Sequence, residues 1–373
     1  MAEQRLMKDG LGVNAVERIT HGLSAIINGF PANQFRQDAM NGLDALELKE
    51  RVRYIIAVLQ QYLPNDFDET SKLLMNLKSV WDYGDDNDPL RGFAAWPIID
   101  YIGVHGLEHP KASLSALKHL TALFSAEFAI RPFIVRYPDI TFAKLRKWCT
   151  DSDEHVRRLV SEGTRPRLPW GQQLSQFVSD PSPLLPLLEL LKDDESEYVR
   201  RSVANSLNDI SKDHPDLVIK TCRCWTKPKN KNRTKLIRHA LRTLVKSGHP
   251  DVFGLLGYTE TPQLSVQDMK VDSQNIKLGE SANFTVLITA TSSDIQNVVI
   301  DYAVHHVKAN GQSSTKVFKL KSTTINPGET IQLKKSHPFK KITTRKYYTG
   351  QHSIELLING MAVCSVEFQL LAL

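Results

Sequence analysis

Asp153-Glu-His-Val-Arg-Arg158 and, 43 residues on, Ser196-Glu-Tyr-Val-Arg-Arg201 are two copies of one phrase. Each opens on a residue suited to cap a helix, then sets apolar side chains at helical spacing: Val156 and Val160 in the first, Val199, Val203 and Leu207 (with Ser206) in the second. Residues three and four apart share one face of a helix, so each copy begins an amphipathic helix with paired arginines near its start. A third helical unit, Asn232–Lys246, follows at a similar interval. A period near 40 residues marks a HEAT-like array, in which each unit buries its stripe against the next.

The same spacing runs through 43–63, 70–80, 113–130 and 183–191, with stop signals at Arg131-Pro132 and Ser247-Gly248. Residues 1–258 therefore read as a helical solenoid. The pattern changes after Tyr258. Thr259-Glu-Thr-Pro-Gln263 opens a polar linker assigned to 259–266, and β-branched alternation follows in 284–289, 298–302, 315–320 and 354–357. Asn359-Gly360 between two such runs is a hairpin signal. Residues 267–373 are expected to form an immunoglobulin-like β-sandwich, without the Cys–Trp–Cys pattern of antibody domains. The fold class is multidomain α and β, a HEAT-like solenoid followed by a sandwich.

Charge is unevenly spread over the 373 residues: the net is +6, yet residues 1–130 sum to −5 and the remainder to +11. That asymmetry favours a polyanion, most simply nucleic acid, though an anionic membrane surface fits the charge alone. No apolar run approaches the ~18 residues of a membrane span, and the N-terminus lacks an apolar signal segment, so a cytoplasmic location is expected. The four cysteines are scattered, and Cys222-x-Cys224 has no second ligand pair nearby; neither a metal nor a cofactor is expected.

Three acids stand where helix design disfavours them. Glu162, Asp209 and Glu127 each read as lying in the last turn of a helix, where the negative end of the dipole makes an acid cost ~0.3–1 kcal/mol. Breaking a local rule marks a candidate for function; the structural alternative is an ion pair with a nearby arginine. Arg158 lies four residues before Glu162, close enough to pair with it. Trp170 follows the stiff, basic Arg165-Pro-Arg-Leu-Pro169 loop, placed either to stack on a sugar or base or to anchor the loop. No acid occurs from Lys220 to His249. In that stretch Lys227, Lys229, Lys231, Arg233, Lys235, Arg238 and Arg242 are candidate phosphate contacts, joined by Arg158, Arg165 and Arg201. A second cluster, Lys334, Lys335, Lys340, Lys341, Arg345 and Lys346, lies in the sandwich.

Taken together, Glu127, Val156-Arg-Arg158, the Glu162–Trp170 stretch, Val199-Arg-Arg201 through Asp209, and Arg238–Pro250 resemble the AlkC branch of the AlkC/AlkD DNA glycosylases. The resemblance spans nearly the whole chain, sandwich included. It implies hydrolysis of the N-glycosidic bond of cationic alkylated bases, 3-methyladenine and 3-methylcytosine, in duplex DNA, in a family understood to work without flipping the base. By resemblance, Glu162 and Asp209 stabilise an oxocarbenium-like sugar and aim a water, Glu127 supports them, Trp170 packs on the deoxyribose, and Arg158 holds Glu162 or a phosphate. A bacterial cytoplasmic enzyme, nucleoid-associated when bound to DNA, is implied, and a monomer suffices for a solenoid around a duplex. The competing class is a non-enzymatic HEAT-repeat scaffold binding nucleic acid, protein or acidic membranes.

Overall fold

The structure, a computed structural model, describes residues 6–340, 342 and 345–372. Helices fill the chain to Leu255 and strands follow from Leu264. No described helix is long and apolar enough to cross a membrane. The repeated phrase forms the Glu154–Gly163 and Glu197–Ile210 helices; the second packs on both the first and the Lys231–Ala240 helix. Val160, Val199, Val203 and Leu207 are all fully buried in these seams, each contributing about 1.5–3 kcal/mol on the scale of side-chain burial.

Helix ends depart from the sequence expectation where a side chain or a proline had two readings. The expected 113–130 helix stops at Leu120, where the Thr121 hydroxyl turns to accept the Ala126 N–H at 3.2 Å. Turns then run to Ile130, and Arg131-Pro132 opens the Arg131–Arg136 helix instead of ending one, since the missing proline N–H costs nothing in a first turn. The third unit is likewise two helices, Lys231–Ala240 and Arg242–Lys246.

Among the described residues eight strands follow: β1 (Leu264–Val271), β2 (Asn275–Lys277), β3 (Ser281–Ala290), β4 (Gln296–Val307), β5 (Ser313–Ile325), β6 (Thr330–Pro338), β7 (Gly350–Ile358) and β8 (Met361–Leu371). They make a three-stranded sheet, β1-β3-β6, and a five-stranded sheet, β2-β8-β7-β4-β5. Alternate residues of β3 (Val286, Ile288) meet Val298 and Ile300 of β4 and Leu356 and Ile358 of β7 in the shared core, an immunoglobulin-like arrangement. Asn359-Gly360 makes the two-residue β7–β8 turn, with both residues at positive φ, 46° and 74°.

By packing, the chain divides into two compact units, Met1–Asp213 with Lys229–Ala240, and His214–Pro228 with Leu241–Leu373. The expected 258/267 boundary follows the change of secondary structure; the packing boundary lies earlier, because the last helices are fastened to the strands. Thr259 donates its N–H to the Asn297 carbonyl at 2.8 Å and accepts Asn359 Nδ2 at 2.7 Å. The Gly360 backbone meets Gly248 so closely that a Cβ on Gly360 would lie 2.1 Å from the Gly248 Cα. Residues 264–266, expected as linker, are already strand.

Candidate active site and nucleic-acid interface

The two arginines of each repeated phrase do different work. The first is structural. Arg157 forks onto Asp194 at 2.7 and 3.0 Å and donates to the Asp151 and Ser152 carbonyls; Arg200 donates to the Asp194 and Glu195 carbonyls. Both are buried. The second arginines diverge: Arg201 is exposed, whereas Arg158 lies over the Tyr198 ring at 5.0 Å and turns inward.

Arg158 belongs to a row of alternating charge. Its Nη1 donates to Glu127 Oε2 at 2.5 Å and its Nη2 lies 3.6 Å from Glu162 Oε1. The same Glu162 oxygen accepts Arg165 Nη1 at 2.5 Å, and Arg165 Nε donates to Asp209 Oδ2 at 2.7 Å. Asp209 Oδ1 accepts Lys212 Nζ at 3.0 Å. The other oxygen of Glu162 accepts the Ser202 hydroxyl at 2.7 Å, and the Ser161 hydroxyl donates to Ser202 at 2.7 Å. Glu162 is 4% exposed and Asp209 1%. Burial works to lower the Arg158 and Arg165 pKa values, but the neighbouring carboxylates prevail and hold both above the ordinary range.

Two sequence expectations are corrected here. Arg165, expected on a phosphate, is buried, and its guanidinium lies between Glu162 and Asp209. Two carboxylates sealed there with no cation would cost several kcal/mol, and Arg165, three residues after Glu162, forks to both. Glu127 is not at the end of a helix; it sits in the turns before Arg131–Arg136. Glu162 and Asp209 both occupy last turns; aligning the Val-Arg-Arg copies sets Glu162 opposite Asn205, and Asp209 lies a turn beyond in the longer helix.

Arg131 is a site residue that the sequence reading missed. It is fully buried, and its Nε, Nη1 and Nη2 donate to the carbonyls of Gln172, Gly163 and Arg165 at 2.6, 2.7 and 2.8 Å. Burial, then the Arg165 charge, push it down to about 10, while Glu127, Asp209 and Glu162 pull it up. It pins both ends of the loop that presents Trp170. That residue has φ +63° and is 52% exposed, and Lys49 donates to its carbonyl. A left-handed conformation costs roughly 1–2 kcal/mol in a residue with a Cβ, and exposing an indole forgoes its burial. Neither serves stability, which is the kind of strain found at functional sites. Ser202, Lys212 and Lys49 were missed as well; each reaches the row or the loop by a contact that no local pattern announces.

The basic candidates separate by exposure. Lys229, Lys231, Lys235 and Arg238 are exposed in the first unit with Arg201. Arg233 is instead buried and forks onto Asp193 at 2.8 and 2.5 Å. Lys227, exposed, and Arg242, half-buried, belong to the second unit. A cleft between the Glu197–Ile210 and Lys231–Ala240 helices is lined by Arg200, Arg201, Lys235 and His239, with Glu197 also on its wall. His239 Nε2 hydrogen-bonds Asn205 Oδ1 at 2.9 Å. In the sandwich Lys334, Lys335, Lys340 and Lys346 are exposed and Arg345 half-buried; Lys341 lies outside the described residues.

Residues 121–243, which hold the whole row and Trp170, match the family model of DNA alkylation repair enzymes. Residues 265–372 match the model of the C-terminal Ig-like domain of the uncharacterised protein YhaZ. The chain is 37% identical over 366 residues to the uncharacterised protein YhaZ of Bacillus subtilis (strain 168), covering 97% of this chain and 99% of that one. Its structure is similar to that of the Pseudomonas fluorescens alkylpurine DNA glycosylase AlkC bound to DNA containing an abasic site analogue. The TM-score is 0.92 at 35% identity, over 99% of this chain and 100% of the other.

Proposed function

The chain belongs to the AlkC branch of the DNA alkylation repair enzymes, and from that premise we propose that it is a DNA glycosylase releasing cationic alkylated bases, 3-methyladenine and 3-methylcytosine, from duplex DNA. The observation that carries this reading is the row Glu127–Arg158–Glu162–Arg165–Asp209–Lys212 beside a strained, exposed Trp170.

A base that already bears a positive charge is a good leaving group and needs no general acid. What the reaction needs is stabilisation of the sugar cation that forms as the bond breaks, and a water aimed at it. Glu162 and Asp209 are fixed by arginine, lysine and serine, so they cannot turn away as charge develops; their fields act from a buried setting, where charges are screened less than in water. Glu127, more open, supports them from the Arg158 side. Trp170 offers a flat apolar face to the deoxyribose of the lesion, and its fixed backbone keeps that face presented. Exposed Arg201, Lys229, Lys231, Lys235 and Arg238 hold phosphates without reading sequence.

The test is release of free modified base from methylated duplex DNA. Glu162→Gln and Asp209→Asn keep side-chain shape and remove one charge each; each should slow release by about 10²–10³-fold, the usual loss for a preorganised electrostatic group. Affinity for a duplex with an abasic analogue should change only a few-fold. Release at the wild-type rate in both variants, or none from the wild type, would sink the assignment.

A further inference from the structure

One face of the Glu197–Ile210 helix lies along the row. Tyr198, Ser202 and Asp209 are spaced by four and then seven residues, so they share that face. Ser202 donates to Glu162 at 2.7 Å, and Asp209 accepts Arg165 at 2.7 Å. Tyr198, one turn ahead of Ser202, meets the cation on the other side of Glu162: the Arg158 guanidinium carbon lies 5.0 Å from the centre of its ring. The stripe therefore touches Arg158, Glu162 and Arg165 in turn.

With 41% of its surface exposed, Tyr198 adds little to the core. What it covers is a charge. A guanidinium spends its donors in its own plane, and Arg158 does so: its Nη1 donates to Ser125 at 2.6 Å and to Glu127 at 2.5 Å, and its Nη2 lies 3.6 Å from Glu162. The flat faces make no hydrogen bonds, so a ring over one of them attracts the charge without competing for its donors. His155, the residue at the same place in the first phrase, meets the Tyr198 ring edge-on at 5.6 Å. Arg201, the counterpart of Arg158, shares its cleft with the like charge of Lys235 instead, and it stays exposed.

We propose that Tyr198 is a positioning residue for the reaction: its ring holds the Arg158 guanidinium turned inward, where it fixes Glu127 and Glu162, and keeps it from swinging out as Arg201 does. The proposal rests on the glycosylase reading. Arg158 is the cation that Glu127 and Glu162 share. Without the ring it is free to join the exposed cations on its long stem, and Glu127 loses that ion pair.

The experiment is single-turnover release of 3-methyladenine from methylated duplex, for wild type, Tyr198→Phe, Tyr198→Leu, Arg158→Met and Arg158→Met with Tyr198→Leu. Tyr198→Phe keeps the ring and should release base at the wild-type rate. Tyr198→Leu should be slower by about tenfold, the weight of one partly desolvated contact between a cation and a ring. Its affinity for a duplex holding an abasic analogue should not change. In the Arg158→Met background Tyr198→Leu should cost nothing more, because the ring acts through the guanidinium. A full loss in that background, a Phe variant as slow as the Leu variant, or a Leu variant as fast as wild type would overturn the positioning role.

A second readout needs neither DNA nor turnover. The side-chain N–H resonances of Arg158, identified by their loss in Arg158→Met, should be shifted upfield by the ring current in wild type and Tyr198→Phe. In Tyr198→Leu they should return to the ordinary arginine position. Unshifted resonances in the wild type would remove the contact on which the role depends. No base release from the wild type, with the shifted resonances in place, would sink the glycosylase reading and leave the contact a structural one.

Discussion

The buried row among the helices is built of opposite charges in contact; the sandwich buries three histidines among aromatic rings. Glu162, Arg165 and Asp209 satisfy one another's charges at 2.5 and 2.7 Å. His306, His337 and His352 are equally buried, yet among the described residues His306 has no hydrogen-bond partner on either ring nitrogen, and Nε2 of His337 and Nδ1 of His352 have none. Their rings pack edge-on against Phe339 at 5.9, 5.2 and 5.5 Å. Burial, then Arg345 and further cations, push His306 down to about 3 and His337 to about 4. Charge is given up where only packing is at stake. It is retained, against its desolvation cost, in the row proposed to do chemistry, where a charged group could answer a charge that appears during reaction.

Removing one member from each set is the strongest way to break this contrast. Arg165→Met takes away the guanidinium shared by two buried carboxylates and leaves them Lys212 and the more distant Arg158; breaking a buried pair typically costs about 3–5 kcal/mol. It should lower the urea midpoint of the first unit sharply and abolish base release. His306→Leu replaces a neutral ring with no hydrogen bond to lose, so it should move the sandwich by no more than about 1.5 kcal/mol. Equal losses measured by denaturant unfolding would mean that the two sets are held in the same way.

Acid sharpens the contrast. A histidine whose folded pKa lies below its unfolded value of about 6.5 binds fewer protons when folded, so its stabilisation is complete above that value and is lost as pH falls toward the folded pKa. For His306 and His337 that window runs from about 6.5 down to about 3 and 4. At pH 5 each histidine should have lost about 2 kcal/mol. The sandwich should therefore melt earlier as pH drops from 7 to 4, and His306→Leu should remove part of that slope. A melting temperature of the sandwich independent of pH over this range would show that the histidines are not held neutral.

Much of the architecture was legible because periodicity is local. Val199, Val203 and Leu207 announce their helix, and Asn359-Gly360 announces its turn, within a handful of residues. Proline was less legible: Arg131-Pro132 fits the end of one helix or the start of another, and only Thr121 closing the earlier helix decides it. The acids of the proposed site stand out locally, since Glu162 and Asp209 sit badly for their own helices. Their partners do not. Arg165 reaches Asp209 across 44 positions and Arg131 holds carbonyls 32 to 41 residues away. In a chain with 47 lysines and arginines, nothing local says which one turns inward.

The smallest expected effect concerns the arginines that did not turn inward. Arg201 is exposed, while its counterpart in the first phrase, Arg158, pairs with Glu127; Lys235 faces the same cleft as Arg201. If exposed cations hold DNA and buried ones hold the row, Arg201→Ala with Lys235→Ala should leave unfolding unchanged. Affinity should fall by about tenfold for methylated and unmethylated duplexes alike, and the slope of log affinity against log salt should shrink by about 2. The single-turnover rate at saturating protein should be unaffected. A loss confined to methylated DNA would instead place these two side chains at the lesion, and the division between a binding surface and a catalytic interior would have to be redrawn.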